Sequence, residues 1–257
     1  MALVIDEIDR AAPARRPLDR PAGYHRWHNL LFVHWRLDPA IIEPMLPRGL
    51  SLDTWDGSAW IGLVPFAISG LRPYWFLPVP GVSAFNEINV RTYVYYRGGN
   101  PGVWFFSLDA TSVLAARVAR WRWRLNYFST DMRLRQSGDI IHYEALRRQR
   151  GSKAGARVVA RIGTQLDQGP EQRVPGQAKP GTLTHFLLDR YILYAQQGAG
   201  PLFTAQVHHA PYCVREAHLL ACEQTMLAAS GIMPDEPPSH VAYCERADVE
   251  VFPLRRV

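Results

Sequence analysis

Phe85-Asn86-Glu87-Ile88-Asn89-Val90-Arg91-Thr92-Tyr93-Val94-Tyr95-Tyr96 alternates cleanly from residue to residue. Glu87, Asn89, Arg91 and Tyr93 fall on one face, and Ile88, Val90, Thr92 and Val94 on the other. A period of two over this length reads as a β-strand with two unlike faces. Gly98-Gly99-Asn100 then turns the chain. The strand that follows, Val103 to Leu108, is almost wholly apolar, which predicts burial on both of its sides.

Upstream, residues 29–36 read as another strand. Asp38-Pro39 opens a short helix, with Asp38 as N-cap and Pro39 at the first helical position, and it closes before Pro47. Asp56-Gly57 is a turn, and Ser58 to Ile68 the next strand. Residues 71–83 hold Pro73, Pro78 and Pro80 with Tyr74, Trp75 and Phe76, an aromatic loop with the makings of a lid. Downstream, residues 111–120 read as a helix capped by Thr111 or Ser112. Strands are expected at 121–128, 131–136 and 139–147, with Gly138-Asp139 as a hairpin turn, and at 156–163. Residues 167–181 are a Gly/Pro/Gln loop. A short helix at 182–188 leads into a strand from Tyr191 to Ala195, and Val207 ends a further one. Residues 214–230 read as the best helix of the chain, ending at Gly231, and Val241 to Leu254 as closing strands.

Many strands joined by tight turns, with few helices and no βαβ alternation, give a mainly β (α+β) fold. The expected form is a curved antiparallel β barrel or cone with a few peripheral helices. In residues 1–22 prolines alternate with arginines and apolar periodicity is absent, so these read as a mobile N-terminal arm. Residues 23–257 read as a single domain, without repeats or a linker.

The chain has 257 residues, 47% hydrophobic and 20% charged, which fits a globular protein and excludes a disordered chain or a coiled coil. No run reaches the ~18 apolar residues of a membrane span. Asp6, Glu7 and Asp9 stand where a signal peptide would be basic and then apolar. The expectation is a cytoplasmic protein without membrane contact. The formal charge is +6, yet only Lys153 and Lys179 are lysines, leaving 27 arginines. They are spread along the chain, with one knot at 117–124, and read as Arg-for-Lys bias rather than a nucleic-acid stripe. Cys213, Cys222 and Cys244 form no Cys-x-x-Cys and read as reduced thiols.

No Gly-x-Ser-x-Gly elbow, phosphate-binding loop, dinucleotide fingerprint or His-Glu-x-x-His is present, so no nucleotide or redox cofactor is expected. His208, His209, Cys213, His218 and Cys222 fit no common zinc spacing, and no metal is expected. The polar face of 85–96 is the sharper feature. Turned outward, it is a solvated surface. Turned into a barrel, it makes Glu87 and Arg91 a buried ionic pair, and burial raises the Glu87 pKa to make it a candidate acid or base. Either face of such a strand can lie inside. Arg117, Arg120, Arg122 and Arg124 interleave with Trp121 and Trp123. As a strand, 120–124 sets its arginines together, either to grip a carboxylate or as a cationic solvent face opposite the tryptophans.

Several motifs carry a resemblance to a known family. They are His34-Trp35, Leu46-Pro47-x-Gly49-Leu50-x-Leu52-Asp53, Asp56-Gly57-x-Ala59-Trp60 and Phe85-Asn86-Glu87-x-Asn89-Val90-Arg91-Thr92-Tyr93-Val94. Gly102-Val-Trp-Phe-Phe-Ser-Leu-Asp109, His185-Phe186-Leu187, Arg190-Tyr191 and Val207-His208-His209-x-Pro211 complete the set. From about 24 to 254 the chain resembles the YqjF-like family of uncharacterised bacterial proteins. More distantly it is similar to acetoacetate decarboxylase, which implies a cone-like β barrel enclosing a pocket. That resemblance puts Glu87 at a pocket glutamate and His28 where the decarboxylase has an arginine. The decarboxylase's lysine pair would fall near Arg124 and Leu125, where no lysine stands. An arginine cannot form a Schiff base, so amine-based decarboxylation is not expected.

The expected function is a small-molecule enzyme with lyase- or isomerase-type acid/base chemistry on a carboxylate or keto-acid-like metabolite. The alternative is a non-catalytic sensor or carrier with the same pocket. Glu87, Arg91 and His28 are the expected catalytic residues. Asn89, Tyr93, His34, Arg117, Arg120 and Arg124 are the expected substrate-binding ones. A small molecule is the expected partner, and an exposed sheet edge would allow a homo-oligomer.

Overall fold

The computed structural model describes residues 8–112, 125–149, 151–167 and 174–257. The strands are β1 (Gly23–Leu37), β2 (Leu50–Leu52), β3 (Ala59–Pro73), β4 (Phe85–Tyr96), β5 (Gly99–Ala110), β6 (Tyr127–Ser137), β7 (Ile140–Arg147) and β8 (Gly155–Gln165), followed by β9 (Ile192–Ala195), β10 (Phe203–His208), β11 (Val214–Gln224), β12 (His240–Val251) and β13 (Arg255–Arg256). Among the described residues three short α-helices interrupt them: α1 (Pro39–Ile42), α2 (Leu183–Leu188) and α3 (Met226–Ala229). Among the described residues no helix is long and apolar enough to cross a membrane.

The local chemistry of the turns is as the sequence reads. The Asp38 carboxylate accepts from the Ala40 N–H at the start of α1, with Pro39 at its first position. Asp56 and Gly57 both have positive φ, closing a tight turn between Trp55 and Ser58. The Thr182 hydroxyl accepts from the His185 N–H and starts α2.

The strands form one large curved sheet whose pairings double back on themselves, rather than a single regular barrel. One ring of pairings runs β5-β6-β7-β8-β11-β12-β1-β3-β4 and returns to β5. A second runs β12-β1-β3-β4-β5-β9-β10 and returns to β12. Most neighbours are antiparallel, but β5 meets β6 and β9 in parallel. Each ring encloses its own core. Leu31, Val33, Ile61, Leu63, Ile88 and Val90 look into the first, with Ile141, Val158 and Tyr243. Leu30, Phe32, Trp60, Val64, Phe66 and Tyr93 look into the second, with Phe186, Val214 and Val249. The shared strands therefore form a party wall, and residues 87–94 of β4 are buried on both faces.

Two expectations are corrected. Residues 214–230 are not one helix: Val214–Gln224 is a strand between β8 and β12, and only Met226–Ala229 is helical. Alanine, leucine, glutamate and glutamine favour helix, but this segment supplies backbone partners to β8 and β12, and pairing overrides propensity. Two register shifts against β8, between Arg215 and Ala217 and between Leu219 and Ala221, space its apolar contacts unevenly, which imitates a helical period. The break expected between strands at 121–128 and 131–136 is absent, since Tyr127–Ser137 is one continuous strand, while residues 121–124 lie outside the described residues. Residues 113–124, carrying most of the expected helix and the arginine knot, lie outside the described residues.

Residues 10–22 lie along the second ring. The Gln206 amide donates to the Pro13 and Arg15 carbonyls, the Ala22 N–H donates to the Val251 carbonyl, and Pro13 is buried. The aromatic loop after β3 leaves Tyr74, Trp75, Phe76, Leu77 and Val79 exposed.

The second ring closes where β5 meets β9, and that approach depends on a glycine. A Cβ on Gly102 would stand 2.5 Å from the Ile192 carbonyl oxygen. Gly102→Ala should cost about 2 kcal/mol through this overlap, lowering Tm by roughly 6 °C for a chain of this size. Thermal unfolding of the variant checks it, and an unchanged Tm would mean that β5 and β9 are not in tight contact.

Candidate active site

Glu87 sits on the face of β4 that looks into the second core, opposite Phe66 on β3 and Ala110 on β5. It is 3% exposed. The Tyr127 hydroxyl donates to its Oε2 at 2.8 Å, and the Asn89 side chain also hydrogen-bonds it. Burial pushes the Glu87 carboxyl up to about 7, against the pull of these two donors, with Asp109 adding to the rise. Burial, together with Glu87, holds the Tyr127 phenol well above its ordinary range, so it remains a donor. Asp109 is itself tied to Arg147 by two bonds of 2.7 and 2.8 Å, with the guanidinium stacked 3.8 Å from the Phe128 ring centre.

Arg91 and Tyr93 continue the same face. Arg91 donates to the Leu187 carbonyl at 3.1 Å, near the end of α2. Arg190 donates to the preceding carbonyl, Phe186, at 2.6 Å and to Asp53 at 2.7 Å, and Arg10 takes the other oxygen of Asp53. The two guanidiniums flank the Tyr93 ring, with centroid distances of 5.8 Å for Arg91 and 5.0 Å for Arg190. Carbonyls at a helix C-terminus attract cations. Even so, Arg10 and Arg190 share the Asp53 carboxylate, the buried Asp189 beside Arg190 is pushed up to about 7, and among the described residues Arg91 has no carboxylate partner. Among the described residues its Nε has no hydrogen-bond partner, nor has the Asn89 Oδ1 two positions along the same face of the strand. Buried polar atoms without partners are unusual and mark a place for a ligand or water. The Tyr93 hydroxyl reaches the Leu187 carbonyl at 2.9 Å and His34 Nε2 at 2.8 Å.

The expected residues thus fall into separate groups. Glu87 and Asn89 are together. Arg91, Tyr93 and His34 are together, under α2. The ionic pair expected between Glu87 and Arg91 is absent: both are buried, but four residues along a strand separate them by about 13 Å. His28 lies elsewhere. Asn29 has φ of 53° and a bulge follows it, so the alternation of β1 switches there. Trp27 packs on the second core while His28 turns away, its Nε2 2.7 Å from the Ser69 hydroxyl. Burial, with Arg246 and Arg26 nearby, lowers the His28 pKa. Arg117, Arg120 and Arg124 lie outside the described residues.

Sequence reasoning missed Tyr127, Arg190, Asp53 and His240 as site residues. Asp53 and Arg190 stand in the motifs quoted above, so the resemblance held a clue to them; Tyr127 and His240 had none. Among the described residues no group of three or more His, Cys, Asp or Glu is placed to hold a metal. A cavity of about 420 Å³ lies apart from the site, where β5 forks between β9 and β6, walled by Trp104, Phe105, Phe106 and Tyr194.

Comparison with known proteins fits this architecture. The chain is 35% identical to the uncharacterized protein YqjF of Bacillus subtilis (strain 168) over 230 residues, 90% of each chain. It superposes on the enduracididine biosynthesis enzyme MppR complexed with pyruvate, with a TM-score of 0.62 and 13% identity, over 93% of this chain and 91% of that one. Acetoacetate decarboxylase from Legionella pneumophila gives a TM-score of 0.59 and 12% identity, over 100% and 98%. At such identities the likeness shows a shared fold. Residues 24–248 match the DUF2071 family, and the chain belongs to that family of uncharacterized conserved proteins.

Proposed function

We propose that this protein is a small-molecule enzyme that performs acid/base chemistry of lyase or isomerase type on a carboxylate or keto-acid-like metabolite. The observation that carries this reading is Glu87, a buried carboxyl held by Tyr127 and Asn89 and pushed up to about 7. A group that is half protonated near neutral pH can take a proton and return it. Arg91, buried without a carboxylate partner, is the cation on the same face that would receive the ligand's carboxylate. Asn89 lies between them with its oxygen unpartnered. A ligand touching both Glu87 and Arg91 lies along β4 rather than across it.

The shared fold supports the ligand class, since MppR was captured with pyruvate, a keto acid. Amine chemistry of the decarboxylase kind has little footing. Lys153 and Lys179 are the chain's only lysines and both are exposed.

A thermal-shift screen against keto, hydroxy and unsaturated acids, followed by mass analysis of each hit, tests the reading. A ligand that binds the native state raises Tm by mass action. The expected result is a stabilising acid that the wild type consumes and Glu87→Gln does not, with a loss of turnover of about a hundredfold or more for a missing acid/base group. Full turnover in Glu87→Gln overturns the assignment. A ligand that stabilises and survives unchanged makes the protein a sensor or carrier instead.

Glu87 also predicts a stability profile. Its folded pKa, about 7, exceeds its ordinary value of 4.5, so the folded state holds the proton more tightly. Stability from this group is present below pH 4.5 and declines as pH rises towards 7. The full span is on the order of 3 kcal/mol. In urea titrations at pH 5 and pH 8, Glu87→Gln should gain on the wild type at the higher pH. A constant difference at the two values would mean that Glu87 titrates normally.

A further inference from the structure

Three side chains, His34, His240 and Thr184, run in series behind Tyr93. The Tyr93 hydroxyl lies 2.8 Å from His34 Nε2, His34 Nδ1 lies 3.1 Å from His240 Nδ1, and His240 Nε2 lies 3.2 Å from the Thr184 hydroxyl. The direction of every bond follows from one end. The Leu187 carbonyl, 2.9 Å from the Tyr93 oxygen, can only accept, so Tyr93 spends its proton there. The Tyr93 oxygen then accepts from His34, which must carry its proton on Nε2. Burial, with His240 and Arg91 nearby, holds His34 well below its ordinary pKa, so the ring is neutral and Nδ1 is bare. That bare nitrogen accepts from the Nδ1–H of His240, which burial pushes down to about 4 and keeps neutral as well. His240 Nε2 is then bare and accepts from Thr184. The series leads from fully buried Tyr93 and His34 to half-buried His240 and Thr184.

We propose that Thr184, His240, His34 and Tyr93 form a proton relay that resupplies the Tyr93 hydroxyl, the group standing between Arg91 and Arg190. The acceptor is an anionic oxygen, carboxylate or enolate, seated against the free Nε of Arg91. Such an oxygen outcompetes the neutral Leu187 carbonyl for the Tyr93 proton. When Tyr93 gives it up, its oxygen takes the Nε2 proton of His34. His34 Nδ1 takes the Nδ1 proton of His240, His240 Nε2 takes the Thr184 hydroxyl proton, and Thr184 recovers one from water. One proton passes from water to the acceptor, and both imidazoles end as the opposite neutral tautomer. The backbone makes room for this arrangement: a Cβ on Gly62 would stand 3.0 and 3.2 Å from the His34 ring.

The relay's use rests on the reading of Arg91 as an anion holder, but its existence does not, and its test involves no turnover. The full chain labelled with 15N-histidine is examined by NMR. The expected tautomers are Nε2–H for His34 and Nδ1–H for His240. The His34 proton should exchange with water through the outer links, so Thr184→Val and His240→Phe should slow it by about tenfold or more, whereas exchange by global opening would be unaffected by them. Glu87→Gln should leave it unchanged. Thr184→Val replaces a hydroxyl by a methyl of similar volume and carries the test alone if His240→Phe does not fold. A His34 proton on Nδ1, or an exchange rate unchanged in the folded variants, overturns the relay.

Discussion

Strands β3 and β4 over most of their length, and β1 over its second half, are buried on both sides. Both rings of the sheet use them, and each ring presses an apolar core against one of their faces. A doubly buried wall imposes a strict condition: any polar side chain on it must find its partner inside. Thr92 meets it by donating to the Trp60 carbonyl at 2.8 Å, and Asp109 by its two bonds to Arg147. Glu87 meets it by holding its proton longer, supported by Tyr127. Among the described residues the condition is not met at Asn89 Oδ1 and Arg91 Nε.

Charge in the second interior is unevenly divided. Arg10 and Arg190 share Asp53, and Arg91 relies on helix carbonyls. His34, His240 and His209 are all held neutral by burial, so none adds to the imbalance. Burial of an uncompensated guanidinium is costly. A bound carboxylate would relieve that cost and gain a rigid, dry setting for its hydrogen bonds.

The alternation of 85–96 made β4 legible from the sequence, and Asp38-Pro39 and Asp56-Gly57 did the same for the first helix and turn. Periodicity could not tell which face of β4 was inside, because the answer was both. A polar face that reads as a surface is compatible with burial once a second ring covers it. The strand at 214–224 was hidden by its bulges and by residues that favour helix. His28 follows the same logic on a smaller scale: one left-handed residue, Asn29, reversed the alternation that would have set it beside Phe32 and His34. Glu87, Asn89, Arg91 and Tyr93 could be read as one face. Their division between Tyr127 on one side and α2 on the other depends on contacts far apart in the chain.

The party wall also orders events in time. Strand β12 belongs to both rings, pairing with β1 and β11 in one and with β10 in the other. Neither interior can therefore close until residues 240–251 have left the ribosome. Until then β1, β3 and β4 expose two apolar faces and an open edge. Contacts across such sequence separations form slowly, and exposed strand edges invite aggregation. Recombinant yield should thus depend more on how quickly a nascent chain is completed or chaperoned than on the stability of the finished protein.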